Sequence, residues 1–210
     1  GTVTSGATVS ANTTAGFSVG SATMNSSGSW TVGHGLGVAP AVVLVKATGG
    51  TSDWWMWHHS LGGPTDGAKY IKFNSTAVSP ANDSTVWNNT VPTSSVYSMG
   101  SNTWSGSTTF VGYCFAEKKG YSKFGKYRGN GSSDGIFVNL GFKPALVIFK
   151  ETSNADNWIV LDNKRDATPN PHKLALFPNL LDAEGGDYLV DFTSNGFKIR
   201  SATGSLNTSG

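Results

Sequence analysis

Apolar and polar residues alternate in short runs along most of the chain, and the two-residue period of a strand fits them better than the 3.6-residue period of a helix. Ala41–Lys46, AVVLVK, is rich in β-branched residues and is opened by Pro40, which a strand tolerates at its first position because the missing N–H matters least there. Trp54–His59 reads as its return strand after the loop Thr48–Asp53. Phe17–Val19 and Ser29–Val32 look like strands around the turn Asn25-Ser26-Ser27-Gly28, followed by Lys69–Phe73, Val96–Met99 and Thr109–Phe115. In the second half the same reading gives Tyr121–Tyr127, Ile136–Val138, Ala145–Lys150, Trp158–Leu161, Lys173–Phe177, Tyr188–Phe192 and Phe197–Arg200. The best helical stretch, Asn179–Glu184, allows one or two turns. Both return strands are apolar on both faces, which predicts central strands covered on each side, or a face that meets another unit. Short strands punctuated by Gly and Asn turns predict an all-β sandwich or barrel.

The pattern occurs twice. Leu36 to Phe73 aligns with Leu140 to Phe177 at an offset of 104 without a gap, and Leu36, Gly37, Pro40, Ala41, Val43, Lys46, Thr48, Trp54, Lys69 and Phe73 are identical in the two copies. The offset also pairs Gly16-Phe17-Ser18 with Gly120-Tyr121-Ser122, and at an offset of 100 Tyr97, Met99 and Ser101 face Phe197, Ile199 and Ser201. A repeat of this length predicts two tandem homologous β-sandwich or barrel-like units with long polar loops. The expected division is an extended segment over 1–15, a first unit over 16–119 and a second over 120–210. Gly210 aligns near Phe110, so the second unit lacks a counterpart of the closing strand Thr109–Glu117. Thr2–Ser10, from this chain or a neighbouring copy, is the expected substitute, by strand addition.

Composition narrows the class. Charged residues are 13% of the chain, about half the usual share, and there are 27 glycines. This suits an extracellular or virion β-protein with neutral polar loops. A net charge of +2 argues against a general nucleic-acid binder, and no apolar run is long enough to insert in a membrane as a helix. The single cysteine, Cys114, excludes an internal disulfide framework and reads as a small buried hydrophobe.

Candidate chemistry centres on aromatic residues. Tryptophans beside polar groups can stack on the C–H face of a sugar while its hydroxyls find hydrogen bonds. Trp55, Trp57, Trp87, Trp104, His58 and His59 supply those types. Trp87 and Trp104 lie in loops without an aromatic counterpart, which makes them the exposed candidates; Trp55 and Trp57 recur as Ile159 and Leu161 and suit a core. His58 and His59 are adjacent, so as strand residues they would point to opposite faces and could not chelate one ion together. Asp162 and Asp166 lack the surrounding pattern of a calcium loop, so no metal and no cofactor is expected. No nucleophile elbow, zinc-protease or phosphate-loop motif is present, which points away from an enzyme. The basic stretch Lys118, Lys119, Lys123, Lys126 and Arg128 reads as a linker with solvated heads.

The runs WTVGHGLGVAPAVVLVK, WWMWHHSLG, STVWNNTVPTSSVYSMGS and TTFVGYCFAEKKGYSKFGKYRGNGSSDGIFVNLGFKPALVIFK, in this order, resemble a repeated β-domain of tail-fibre and other virion proteins of marine bacteriophages, cyanophages above all. The resemblance implies a non-enzymatic structural protein at the virion surface, part of a tail fibre or other appendage that takes part in host attachment. Its implied partners are other virion subunits, through homo-oligomer formation or strand exchange, and a host-surface glycan. A secreted carbohydrate-binding module and a fragment of a polysaccharide depolymerase stay open as alternatives.

Overall fold

The computed structural model describes residues 7–24, 28–62, 66–77, 81–101, 103–104, 107–202 and 204–209. The turn expected at Asn25-Ser26-Ser27 and residues 2–6 of the N-terminal segment lie outside them. Nearly all regular structure is strand: β1 Thr8–Asn12, β2 Phe17–Met24, β3 Trp30–Gly33, β4 Val42–Ala47, β5 Trp54–His58, β6 Lys69–Lys72, β7 Ala81–Asn82, β8 Val96–Met99, β9 Thr108–Phe115, β10 Phe137–Asn139, β11 Leu146–Lys150, β12 Trp158–Asp162, β13 Val190–Thr193 and β14 Gly196–Ile199. One helical turn, α1, spans Gly204–Asn207. Asn179–Glu184 is not helical.

The chain forms two compact units. The first gathers Gly1–Lys72, Pro80–Lys118 and Ser122–Gly125; the second gathers Phe73–Ser79, Lys119–Tyr121 and Lys126–Gly210.

In the first unit a seven-stranded antiparallel sheet runs in the order β1-β2-β9-β4-β5-β6-β7, and a separate ribbon pairs β3 with β8. The sheet is open rather than closed into a barrel. Alternation decides which side chains go inward. Along β9 it buries Phe110 and Cys114, and along β4 Val43 and Val45; the ribbon adds Val32, Tyr97 and Met99. The apolar faces of sheet and ribbon share this core, as in a sandwich. β5 lies between β4 and β6, the central position its two apolar faces predict.

β1 is an exposed edge strand paired with β2 from Thr8↔Ser21 to Asn12↔Phe17. Within this chain the described part of Thr2–Ser10, residues 7–10, joins the first unit's own sheet from Thr8 onward and pairs with β2, not with the second unit.

In the second unit β10, β14 and β13 form one antiparallel sheet, and β11 and β12 a two-stranded hairpin. Phe149, Ile159, Leu161, Val190, Phe192, Phe197 and Ile199 are its core. Tyr121–Tyr127 is not a strand, although its counterpart Phe17 onward is all of β2. The physical reason is pairing. β2 lies against β9 over its whole length, whereas Tyr121–Tyr127 lies along no strand among the described residues. Instead Tyr127 turns inward, meets Phe149 and Phe197 edge-on, and donates its hydroxyl to the Leu206 carbonyl at 2.7 Å. Lys173–Phe177 likewise makes only isolated bridges, such as Leu176 with Val160.

The two hairpins nevertheless agree residue for residue. β4 and β5 pair from Val42↔His58 to Lys46↔Trp54; β11 and β12 pair from Leu146↔Asp162 to Lys150↔Trp158. Every pair is displaced by the same 104 positions found in the sequence. Lys46 and Lys150 close these hairpins alike. Lys46 donates from Nζ to the Ser52 carbonyl at 2.7 Å, and Lys150 to the Asp156 carbonyl at 3.0 Å. The repeated lysine is therefore a loop staple rather than a surface charge.

Candidate functional site: a cleft in the first unit

Ala41 fixes the start of the site. Its N–H donates to the Phe115 carbonyl at 2.7 Å, and its carbonyl accepts from the His59 N–H at 2.9 Å. The ends of β9 and β5 are thereby drawn to the entrance of β4. Beyond Phe115 the chain continues through Ala116, Glu117 and Lys118, so these residues stand beside the Val38-Ala39-Pro40 loop. Val91 and Pro92 complete the wall. The residues that follow them are held by buried His34, whose N–H donates to the Ser95 carbonyl and whose Nε2 lies 3.1 Å from the Thr93 carbonyl.

The result is a cleft of about 560 Å³. Pro40, Val91, Pro92 and Trp57 give it apolar surface, and His59, Glu117 and Lys118 its polar groups. A single loop orients two of these. The Phe124 N–H donates to Glu117 Oε1 at 2.9 Å, and the Phe124 carbonyl lies 3.1 Å from His59 Nε2. Since a carbonyl only accepts, His59 carries its proton on Nε2. Trp57 is only 4% exposed, so it offers an edge and not a stacking face.

His58 stands next to the site. Its Nδ1 accepts from the Ser60 N–H, and its ring centroid is 5.1 Å from that of His59. The expectation that the two rings diverge is corrected: β5 ends at His58, so His59 no longer obeys strand alternation. Burial lowers the His58 pKa to about 4, and the neighbouring His59 adds to the effect.

The other sequence candidates are not among the residues lining the cleft. Trp87, expected on an exposed loop, is 2% exposed and sits in the core with Val86; its indole N–H has no hydrogen-bond partner among the described residues. The loop folds inward because Gly100 N–H donates to the Val86 carbonyl and Thr103 Oγ1 donates to the same oxygen. Trp104 is partly buried, with its ring 5.4 Å from that of Phe110. Trp55 packs on Tyr70 at 4.9 Å and carries the Lys72 ammonium 4.9 Å from its ring centre. Glu117, Val91 and Pro92 are not among the sequence candidates, and Lys118 is read there only as part of a solvated linker. Only the β4–β9 pairing, far apart in sequence, could have pointed to them.

No group of three or more His, Cys, Asp or Glu residues is placed to hold a metal among the described residues. Asp162 is instead paired with Arg165 at 2.6 Å, and Asp166 accepts from the Lys173 and Leu174 N–H groups. Cys114 is 1% exposed, and burial pushes its thiol up to about 12, so it is the inert hydrophobe its surroundings imply.

A family model, "Domain of unknown function (DUF7483)", matches residues 1–210. The chain belongs to the DUF7483 family. No curated protein and no solved structure matches it. For this DUF7483 domain the cleft and its geometry are thus the starting point for function.

Proposed function

We propose that this DUF7483 chain is a non-enzymatic structural module of a phage virion surface appendage, of tail-fibre type, and that it contributes to host attachment by holding a surface glycan. The observation that carries the binding part is the cleft of the first unit, where Trp57 and His59 meet Glu117 and Lys118 beside an apolar wall. Pro40, Val91 and Pro92 suit the C–H face of a sugar ring, while His59, Glu117 and Lys118 suit its hydroxyls. Among the described residues Glu117 is the one carboxylate lining the cleft, and its Oε1 already accepts from the Phe124 N–H. Hydrolysis of a glycoside ordinarily uses two carboxyl groups, so the lining favours binding over cleavage. The virion assignment rests on the sequence resemblance and on the low charge of the chain. The shared register of the β4–β5 and β11–β12 hairpins supports reading the two units as versions of one tandem unit.

The same cleft would serve a secreted carbohydrate-binding module. An array of host-surface glycans separates binding from no binding. Wild type is expected to retain at least one glycan, and His59→Ala and Glu117→Ala to lose at least about tenfold in affinity, the scale of one or two lost polar contacts. Equal binding by wild type and both variants would place the glycan elsewhere.

A further inference from the structure

The lining of the first unit's cleft bears on which sugars it would take. Its wall is aliphatic: Val38, Ala39, Pro40, Val91, Pro92 and Ala116 form it, and Trp57, its one indole, is 4% exposed. A bare pyranose presents a C–H face that pairs best with an open aromatic ring. A wall without such a ring rewards a ligand that brings a methyl group of its own, because burial of apolar surface is the gain available there.

The polar groups of the lining are partly used up by the protein itself. The Trp57 indole N–H is already directed at the Asp66 carbonyl, 3.4 Å away. His59 gives its Nε2 proton to the Phe124 carbonyl, so in that tautomer Nδ1 is an acceptor. Glu117 takes the Phe124 N–H on Oε1 and keeps its second oxygen, also an acceptor. Lys118 supplies the donor. Its N–H reaches the Ser122 carbonyl at 3.1 Å and its carbonyl accepts from the Ser122 N–H at 2.9 Å, while its ammonium has no partner among the described residues. The stem is placed as well: a Cβ at Gly16 would stand 3.0 Å from both Cγ and Cε of Lys118. Glu117 and Lys118 are one acidic and one basic side chain side by side, which favours a ligand without net charge.

We propose that the glycan taken by this cleft is neutral and carries an acetamido group, as N-acetylated amino sugars do. The inference rests on the reading of the cleft as a glycan site and narrows its ligand. An acetamido group joins a methyl, an N–H donor and a carbonyl acceptor in one substituent. The methyl would meet the aliphatic wall, the N–H an acceptor of Glu117 or His59, and the carbonyl the Lys118 ammonium. A hydroxyl can turn to either role, whereas a secondary amide cannot, so a fixed set of acceptors and one donor selects the amide. A free amine would lose the methyl and bring a positive charge to Lys118; a carboxylate would bring a negative charge to Glu117.

The test is an array on which gluco-, galacto- and manno-configured oligosaccharides each appear in N-acetylated, free-amine and C2-hydroxyl form. At least one N-acetylated form should bind, at least about tenfold tighter than both of its counterparts. Lys118→Met keeps the stem beside Gly16 and removes the donor, and should cut that preference to less than about threefold; Lys118→Arg should retain it. The proposal is overturned if a hydroxyl or free-amine form binds as tightly as its N-acetylated counterpart, if no N-acetylated form binds, or if Lys118→Met keeps the full preference. Glycans that are lost on His59→Ala whatever their C2 group would sink the acetamido assignment and leave the glycan reading standing. An array that retains nothing would sink both.

Discussion

Trp87 was read from its loop position as an exposed residue, and it is instead one of the largest fully buried side chains. A turn-rich, polar neighbourhood says that a segment is irregular, and says nothing about which of its side chains turn inward. Here the inward turn follows from Gly100 and Thr103, both bonded to the Val86 carbonyl from later in the chain. Trp87→Ala should therefore destabilise the protein by about 3–5 kcal/mol, as large buried aromatics do. Trp87→Phe should recover part of that loss, because it fills most of the space and removes an unpartnered N–H. Chemical denaturation of the two variants against wild type checks the order.

His58 makes a second prediction at this scale. Its folded-state pKa of about 4 lies below the 6.5 of an exposed imidazole, so the unfolded chain takes up the proton first. The stability that comes from the neutral ring is complete above about pH 6.5 and is lost as pH falls toward 4. His34 shifts in the same direction, again through burial. In urea melts at about pH 7.5 and about pH 5, His58→Asn should show a shallower fall in midpoint than wild type. An equal fall would mean that His58 takes no part in the acid sensitivity.

Among the elements, the repeated hairpins were legible almost to the residue. Pro40 and Pro144, a β-branched run and an apolar return strand fix β4–β5 and β11–β12 by local pattern alone. Non-local partners were not legible. Tyr121–Tyr127 carries as good a strand pattern as Phe17–Val19, yet it stays irregular because no strand bonds along it among the described residues. The alignment of the later strands also shifts. β3 and β8 pair Val32 with Tyr97, whereas the N–H of Ile199 reaches the Ile136 carbonyl. That matches Tyr97 with Ile199 at an offset of 102 rather than 100. A two-residue slip preserves the face of every side chain, which is why the apolar pattern could not distinguish the two. Close backbone contacts between elements offer a sharp test. A Cβ at Gly100 would stand 1.7 Å from the Thr85 carbonyl oxygen, while at Gly49 it would meet nothing within 4 Å. Gly100→Ala should destabilise the first unit by more than about 2 kcal/mol, and Gly49→Ala should change stability by less than about 0.5 kcal/mol. Thermal melts that gave equal shifts would disprove the packing of this segment.

At the scale of the whole molecule, the two repeated hairpins are flanked differently. The cleft of the first unit arises where β4, β5 and β9 end together, and in the second unit β11 is paired with β12 alone among the described residues. Of the residues lining the cleft the sequence named only Trp57 and His59 as binding candidates, because Ala41 and Phe115, which bring Glu117 to the cleft, meet across most of the first unit. In the proposed function this cleft is where the protein meets a glycan. The most direct measurement is a titration of isotope-labelled protein with a glycan retained on the array, followed residue by residue in NMR spectra. Saturable shifts are expected to concentrate at Val38, His59, Val91, Glu117 and Lys118. Shifts that leave those residues unchanged and cluster elsewhere would contradict it.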